Sequence, residues 1–118
     1  MNHVTIVGRI SSEIQGKYTP QGTAVLEIVV LVQEQQKNGF ISTPVPVVIW
    51  GSLAEEVARI VQKGTNILVI GKLVTRTWNT KQGERRESWS VNAQTIKILF
   101  DQSEPAVVPQ GAGDGIRL

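Results

Sequence analysis

The sequence predicts an all-β domain that contains one short helix. Apolar residues recur at every second position through much of the chain, which is the period of strands with one buried face. Helical spacing of apolar residues is confined to residues 53–62. The chain has 118 residues, 41% of them hydrophobic, which is enough for one small core. We therefore expect a single β-rich domain.

The first half of the chain predicts two strands separated by a turn. Val4 and Ile6 begin an alternating strand that is interrupted at Gly8, where we expect a bulge or a close approach of two backbones. Residues 11–20 are turn-like. Residues 24–32 form a nearly continuous β-favouring run that is apolar on both faces, a pattern typical of strands covered on both sides.

A third long strand follows a predicted polar loop at residues 33–39. Val47 and Ile49 alternate towards the core, whereas Pro44 and Pro46 lie on the opposite face. Proline has no backbone N–H to donate to a neighbouring strand. We therefore expect this strand to lie at an edge, or to be bulged, on the side of the prolines.

The helix predicted at residues 53–62 has start and stop signals. Ser52 as N-cap and Glu55 three residues later form the pattern of a capping box. Gly64, which follows Lys63, is a natural stop.

Two more strands are predicted, at residues 66–78 and 86–99, joined by a polar hairpin with Gly83 in its turn. Residues 101–118 then show no periodicity and contain two prolines and three glycines. We expect residues 1–100 to form the folded domain and residues 101–118 a disordered or loosely attached tail. The predicted inward residues of the last two strands are Ile67, Val69, Val91, Ile96 and Ile98.

This order of elements, three strands, a helix and two strands, is typical of an OB-fold, a partly open five-stranded Greek-key barrel. Another small barrel could share the order. The pattern alone therefore leaves both architectures open.

The composition gives no basis for catalysis. The chain has no cysteine, so it has no thiol nucleophile, disulfide or cysteine-based zinc site, and it suits a reducing cytosol. Its one histidine, His3, has no triad partner or second metal ligand nearby. No apolar run approaches a membrane span, and the first residues do not show the pattern of a secretory leader, so we expect no secretion. We expect a non-enzymatic cytoplasmic protein without metal, cofactor or membrane contact.

Basic and aromatic residues cluster around the second half of the barrel. Residues 72–86 hold five basic side chains and one acid, Glu84, and Trp78 lies among them, with Trp50 before the helix. Aromatic rings stack on unpaired bases and cationic side chains follow the phosphates. This cluster indicates a single-stranded nucleic-acid binder, although basic hairpins also occur for solubility alone.

Several short motifs, in the same order and spacing, resemble the bacterial single-stranded-DNA-binding protein family over residues 1–99. The resemblance implies the OB-fold and sequence-nonspecific binding of single-stranded DNA in replication, recombination and repair. The motifs that carry it are Met1-Asn2, VTIVGR from Val4, YTPQGTAV from Tyr18, WGSLAE from Trp50, Lys63-Gly64, GKL from Gly71 and TRTW from Thr75.

The resemblance assigns roles to single residues. Trp50 and Trp78 fall at stacking positions of the family, although packing in a core or an interface is the alternative for any tryptophan. Trp89 has no aromatic counterpart and is expected to face inward or an interface. The basic positions that match the DNA path are Lys72 and Arg76, with Arg86 and Arg9 as further candidates.

The chain also departs from the family. Pro44 and Pro46 stand at positions of a stacking tryptophan and an arginine, and Gln36 aligns with another tryptophan. Losing such contacts should weaken binding by several kcal/mol if each is worth about 1–3 kcal/mol. The residues at the C-terminus, Gly113 to Leu118, lack the acidic tip that recruits replication and repair proteins in the family, so we expect any such partner to bind elsewhere.

Two functions remain open from these patterns. The first is single-stranded DNA binding, and the second is an OB-fold assembly protein of the primosome type with weak nucleic-acid binding. The family implies a homo-oligomer, with a tetramer favoured over a dimer, and the apolar second face at Val29 and Leu31 needs such cover. We expect the protein to be associated with the nucleoid.

Overall fold

The computed structural model describes residues 1–99, and the predicted tail lies outside the described residues. The described residues contain one helix and six strands. In chain order they are β1 (Val4–Ile10), β2 (Gly16–Tyr18), β3 (Ala24–Gln36), β4 (Gly39–Trp50), α1 (Gly51–Ile60), β5 (Asn66–Asn79) and β6 (Arg85–Leu99).

The strands form a closed barrel. The five long strands follow the order β1-β5-β6-β4-β3, and pairing of Arg9 and Ile10 in β1 with Leu31 and Val30 in β3 closes the sheet. All pairs are antiparallel except β4 with β6. The short β2 pairs with the start of β3, in the stretch predicted as a turn. The predicted all-β OB-fold, with five long strands and one helix after the third of them, is confirmed.

The core fills the barrel and continues under α1. Ile67, Val69 and Val91 are fully buried as predicted, and Ile96 packs partly against the core. Ile98 pairs with the fully buried Ile67 and so faces the core side as predicted, but its side chain remains 36% exposed. Beyond Asn92, β6 pairs only with β5, so within the described residues this end has a neighbouring strand on one side only.

The predicted polar loop at residues 33–39 is mostly strand. β3 continues to Gln36 and β4 begins at Gly39, so only two residues turn the chain. Gly39 has a φ of 136°, which a side chain would resist. The side chains of this hairpin are exposed, so its sequence lacks the apolar alternation that would indicate a strand. The strands still form because the two backbones satisfy each other's hydrogen bonds.

The predicted capping box is also wrong. The helix begins at Gly51, two residues before its predicted start, and Trp50 at the N-cap position makes no side-chain capping bond. Gly51 has a φ of 71° and turns the chain directly from β4 into α1. The Glu55 carboxylate instead accepts a hydrogen bond of 3.0 Å from the Tyr18 hydroxyl. The helix ends at Ile60, before the predicted stop.

The two prolines of β4 lie where that strand has one neighbour. β4 pairs with β3 along its whole length but with β6 only at Val47 and Val48. Pro44 and Pro46 therefore occupy the part of β4 that is an edge on its second side, as their missing donors predict.

Two glycines permit close contacts between strands. Gly8 lies against the backbone of β3, which confirms the predicted close approach, and a Cβ there would be 2.4 Å from the Leu31 carbonyl oxygen. A Cβ at Gly71 would be 2.0 Å from the Asn92 carbonyl oxygen, next to the register shift between β5 and β6. Neither space can be enlarged without moving a strand.

We expect Gly71→Ala to lower the free energy of unfolding by about 1–3 kcal/mol, since the backbone of β6 must shift to admit the methyl group. Urea denaturation measures this change. Gly16→Ala is the matched control, because nothing lies within 4 Å of its added Cβ. Equal stability of the Gly71 variant and the control would contradict the close packing of β5 on β6.

Candidate nucleic-acid interface

One outer face of the barrel collects most of the predicted binding residues. Residues that pair across adjacent strands point to the same face of a sheet. Lys72 of β5 pairs with Asn92 of β6, and Asn92 also pairs with Val48 of β4. Glu27 of β3 pairs with Val48, so these four residues form one row across four strands.

The other candidates follow from this row by strand alternation. Arg76 and Trp78 are four and six residues along β5 from Lys72, and Trp78 pairs with Arg86. Trp50 is two residues along β4 from Val48. Five of the six predicted residues therefore share one face.

Arg9 is the sixth and lies apart from them. It pairs with Leu31, which pairs with Pro44, so it lies on the far side of β3 from the centre of this face. It does not line the groove that crosses the face.

A groove of about 580 Å³ runs over β3, β4, β5 and β6. Trp50, Arg76 and Trp89 contribute to its walls, together with Pro46 and Val74. Polar groups are supplied by Glu27, Ser88, Ser90 and Asn92. The groove therefore combines the Trp50 ring, one guanidinium group and hydrogen-bonding side chains.

Two tryptophan rings on this face are open to a ligand. Trp50 is 47% exposed and Trp78 is 44% exposed, so neither belongs to the core of the chain. The Arg76 guanidinium carbon lies 5.7 Å from the centre of the Trp78 ring. This cation–π contact orients both side chains and keeps a positive charge beside a stacking surface.

The positive charges differ in their availability. Within residues 1–99, neither Lys72 nor Arg76 forms an ion pair. Arg86 donates to the Glu84 carboxylate at 2.7 Å, and both side chains are more than half exposed. Because solvent screens this ion pair, the Glu84 carboxylate offsets the charge of Arg86 only in part.

Sequence reasoning missed two residues that line the groove. Trp89 pairs with Thr75, so its side chain lies on the face opposite to Arg76 and Ser88, on the same side as Val91. It is 54% exposed and is one of the residues along the groove, and the expectation that it lies at an interface stays a prediction. Glu27 was not among the binding candidates. The available signal for Glu27 was its place between the apolar residues Leu26 and Ile28 of a predicted strand, whereas Trp89 lies between two serines and has no such signal.

A second groove, of about 680 Å³, lies between β2, β3 and α1, away from the tryptophans. There Glu55 raises the pKa of Tyr18 above its usual 10.0, through the hydrogen bond first and its negative charge second. Within residues 1–99, no group of acidic or imidazole side chains could hold a metal ion. The one helix of this described part is too short to cross a bilayer.

Comparison with known proteins gives consistent results. A family model described as the Single-strand binding protein family matches residues 1–99. A single-stranded DNA-binding protein of Clostridium tetani is 37% identical over 102 residues, which covers 84% of this chain and 70% of the relative. A single-stranded DNA-binding protein of Thermus thermophilus is 37% identical over 98 residues, covering 82% of this chain and 37% of the relative.

The fold has a counterpart among solved structures. The wild-type single-stranded DNA binding protein from Thermus aquaticus superposes with a TM-score of 0.76 and 27% sequence identity. The alignment covers 87% of this chain and 52% of that protein. The chain thus spans about half the length of the solved structure and about a third of the Thermus thermophilus relative.

Proposed function

The chain belongs to the single-strand binding protein family, and we propose that it binds single-stranded DNA in replication, recombination and repair, with little dependence on sequence. The observation that supports this most directly is the shared face of Trp50, Trp78, Lys72 and Arg76. The proposed activity is binding, without a catalytic step.

In the proposed mechanism the protein makes two kinds of contact with single-stranded DNA, one with its bases and one with its phosphates. Bases stack on the exposed rings of Trp50 and Trp78, which contributes about 1–3 kcal/mol per base. Lys72 and Arg76 contact the phosphates, and Arg86 extends this line at the hairpin. Arg9 would contact the bound DNA only if the DNA extends past β3.

A second function, the assembly protein with weak nucleic-acid binding, is favoured by one observation. Pro46 lines the groove where the family commonly has an arginine, and it can neither stack as a ring nor bind a phosphate. If the chain is an assembly protein, its exposed apolar residues would bind other proteins. A binding titration distinguishes the two functions.

We expect the protein to bind oligo-dT with micromolar or tighter affinity at low salt, and the tryptophan fluorescence to fall as the rings stack on bases. The affinity should decrease as salt rises, because phosphate contacts release counterions. Fluorescence titration at several salt concentrations measures both. No quenching and no complex at low salt would leave only the assembly function.

Replacing single residues separates stacking from charge. Trp78→Ala should lose about 1–3 kcal/mol of binding with little change in salt slope, since stacking is not ionic, and Trp78→Phe should retain part of it. Arg76→Ala should reduce the slope by about one counterion. Arg59→Ala on α1, outside the groove, is the charge control. Unchanged affinity and slope in both the Trp78 and the Arg76 variants would show that the bound DNA does not follow the β5–β6 hairpin.

The proposed assembly is a homo-oligomer, a tetramer in preference to a dimer. In the described part of the chain, Val4 to Gly8 pair only with β5, so one edge of β1 is open to another strand. Val7 is 49% exposed beside this edge, and Val29 and Leu31 are only half-buried. Exposed backbone donors and apolar side chains on one strand favour pairing with a second copy.

We expect light scattering to give about four times the chain mass of 12.9 kDa across the micromolar range. A strand-edge interface should be weakened by Val7→Lys, because a charge would be placed against the partner strand. Phe40→Lys, at an exposed position in the β3–β4 hairpin, is the control. A monomer at tens of micromolar would contradict the proposed assembly.

The remaining proposals concern organisation and location. Residues 1–100 would form the OB-fold binding domain and residues 101–118 an attached tail. The protein would act in the cytoplasm at the nucleoid, where single-stranded DNA is exposed. Replication or repair proteins are its candidate partners.

A further inference from the structure

Glu27 places a negative charge in a groove that we propose for a polyanion. Among the residues that line the groove, Glu27 is the one acid and Arg76 the one base. Within residues 1–99, the Glu27 carboxylate has no ion pair and no side-chain hydrogen bond. It is exposed, so its oxygens are free to accept hydrogen bonds from a ligand.

The position of Glu27 relative to Trp50 follows from the strand register. Glu27 pairs with Val48, and Val25 pairs with Trp50, so Glu27 and Trp50 are diagonal neighbours on one face. Diagonal neighbours are about 7–8 Å apart between their backbones, within reach of long side chains. A base stacked on the Trp50 ring would therefore present an edge to the carboxylate.

The row of paired residues gives this face of the sheet an electrical polarity. Lys72 lies at the β5 end of the row and Glu27 at the β3 end, with Asn92 and Val48 between them. Phosphates are attracted to the cationic end and repelled from the anionic end. Bound single-stranded DNA would then place its phosphates along β5 and direct the edges of its bases towards β3.

We propose that Glu27 selects the base that stacks on Trp50, and that it favours guanine. This rests on the proposed function, and adds a modest base preference to it. A carboxylate has two acceptor oxygens and no donor. The Watson–Crick edge of guanine offers two adjacent donors, N1–H and the N2 amino group, which can bind both oxygens at once.

The other bases fit a carboxylate less well. Cytosine and adenine each offer one amino group beside an acceptor nitrogen, which repels the second oxygen. Thymine offers N3–H between two carbonyl oxygens, both of which repel a carboxylate. The expected order of affinity is therefore guanine first, then cytosine and adenine, then thymine.

A competing explanation is that Glu27 only repels phosphates. Repulsion of the backbone does not depend on the base, so it would lower the affinity for every oligonucleotide by the same factor. Removing the charge would then raise all affinities together and leave their ratios unchanged. The ratios between oligonucleotides therefore separate the two explanations.

The test compares equal-length oligonucleotides of oligo-dT, alternating dT-dG and alternating dT-deoxyinosine, in lithium salts that disfavour guanine quadruplexes. Inosine keeps N1–H and O6 but lacks the N2 amino group. For the unaltered protein we expect dT-dG to bind about fivefold or more tightly than oligo-dT, with dT-deoxyinosine between them. Glu27→Gln should reduce these differences to about twofold or less, since its amide presents only one acceptor oxygen.

Glu34→Gln is the matched control, because Glu34 lies on β3 but outside the groove, and it should keep the order. Equal ratios for the unaltered protein and Glu27→Gln would overturn the proposed selection while leaving single-strand binding intact. Failure of the unaltered protein to bind any of the three oligonucleotides would instead overturn the proposed function and this inference with it.

Discussion

The barrel depends on the close contact of β1 with β3. At that point Gly8 lies so near β3 that a Cβ would be 2.4 Å from the Leu31 carbonyl oxygen and 2.7 Å from the Val30 side chain. The contact brings Ile10 fully into the core and makes β3 a neighbour of both β1 and β4. Without it the sheet would open between these strands, and the curvature that aligns β3, β4, β6 and β5 across one face would be lost.

That closed geometry turns a scattered set of residues into one surface. Trp50 ends β4, whereas Arg76 and Trp78 lie in the hairpin of β5 and β6, more than twenty residues later. The parallel pairing of Val47 and Val48 with Val91 and Asn92 is the short link that brings the two parts together. Strand alternation then decides which side chains face the groove, so a shift of one residue at this link would remove the tryptophans and cations from a common face.

The long strands and the β5–β6 hairpin were predictable from the sequence, because a buried face imposes a period of two on residues such as Val47 and Ile49. The short β2 and the exposed β3–β4 hairpin lack a buried face, and they were predicted as a turn and a loop. The sequence did not predict that the binding candidates share one face, because this depends on the register between strands that are distant in the chain. The capping box failed because Gly51 starts the helix earlier and Tyr18 takes the Glu55 carboxylate. Glu27 was missed because it matches no family motif: its place between Leu26 and Ile28 marks it as outward-facing, but the groove depends on the register of four strands. Trp89 was kept outside the binding candidates because the family has no aromatic residue there.

One side of the groove lacks side chains that bind phosphates. Pro46 and Glu27 belong to β4 and β3, and neither can bind a phosphate, whereas the cations Lys72 and Arg76 belong to β5. Ionic contact with a strand is therefore concentrated on the β5–β6 hairpin. The β3–β4 side has Trp50 for stacking and an acceptor for base edges, but no cation among its groove-lining residues. The loss of phosphate contacts on this side lowers the affinity for any DNA sequence, because these contacts do not depend on the base. Contacts that do depend on the base then contribute a larger fraction of the remaining binding free energy.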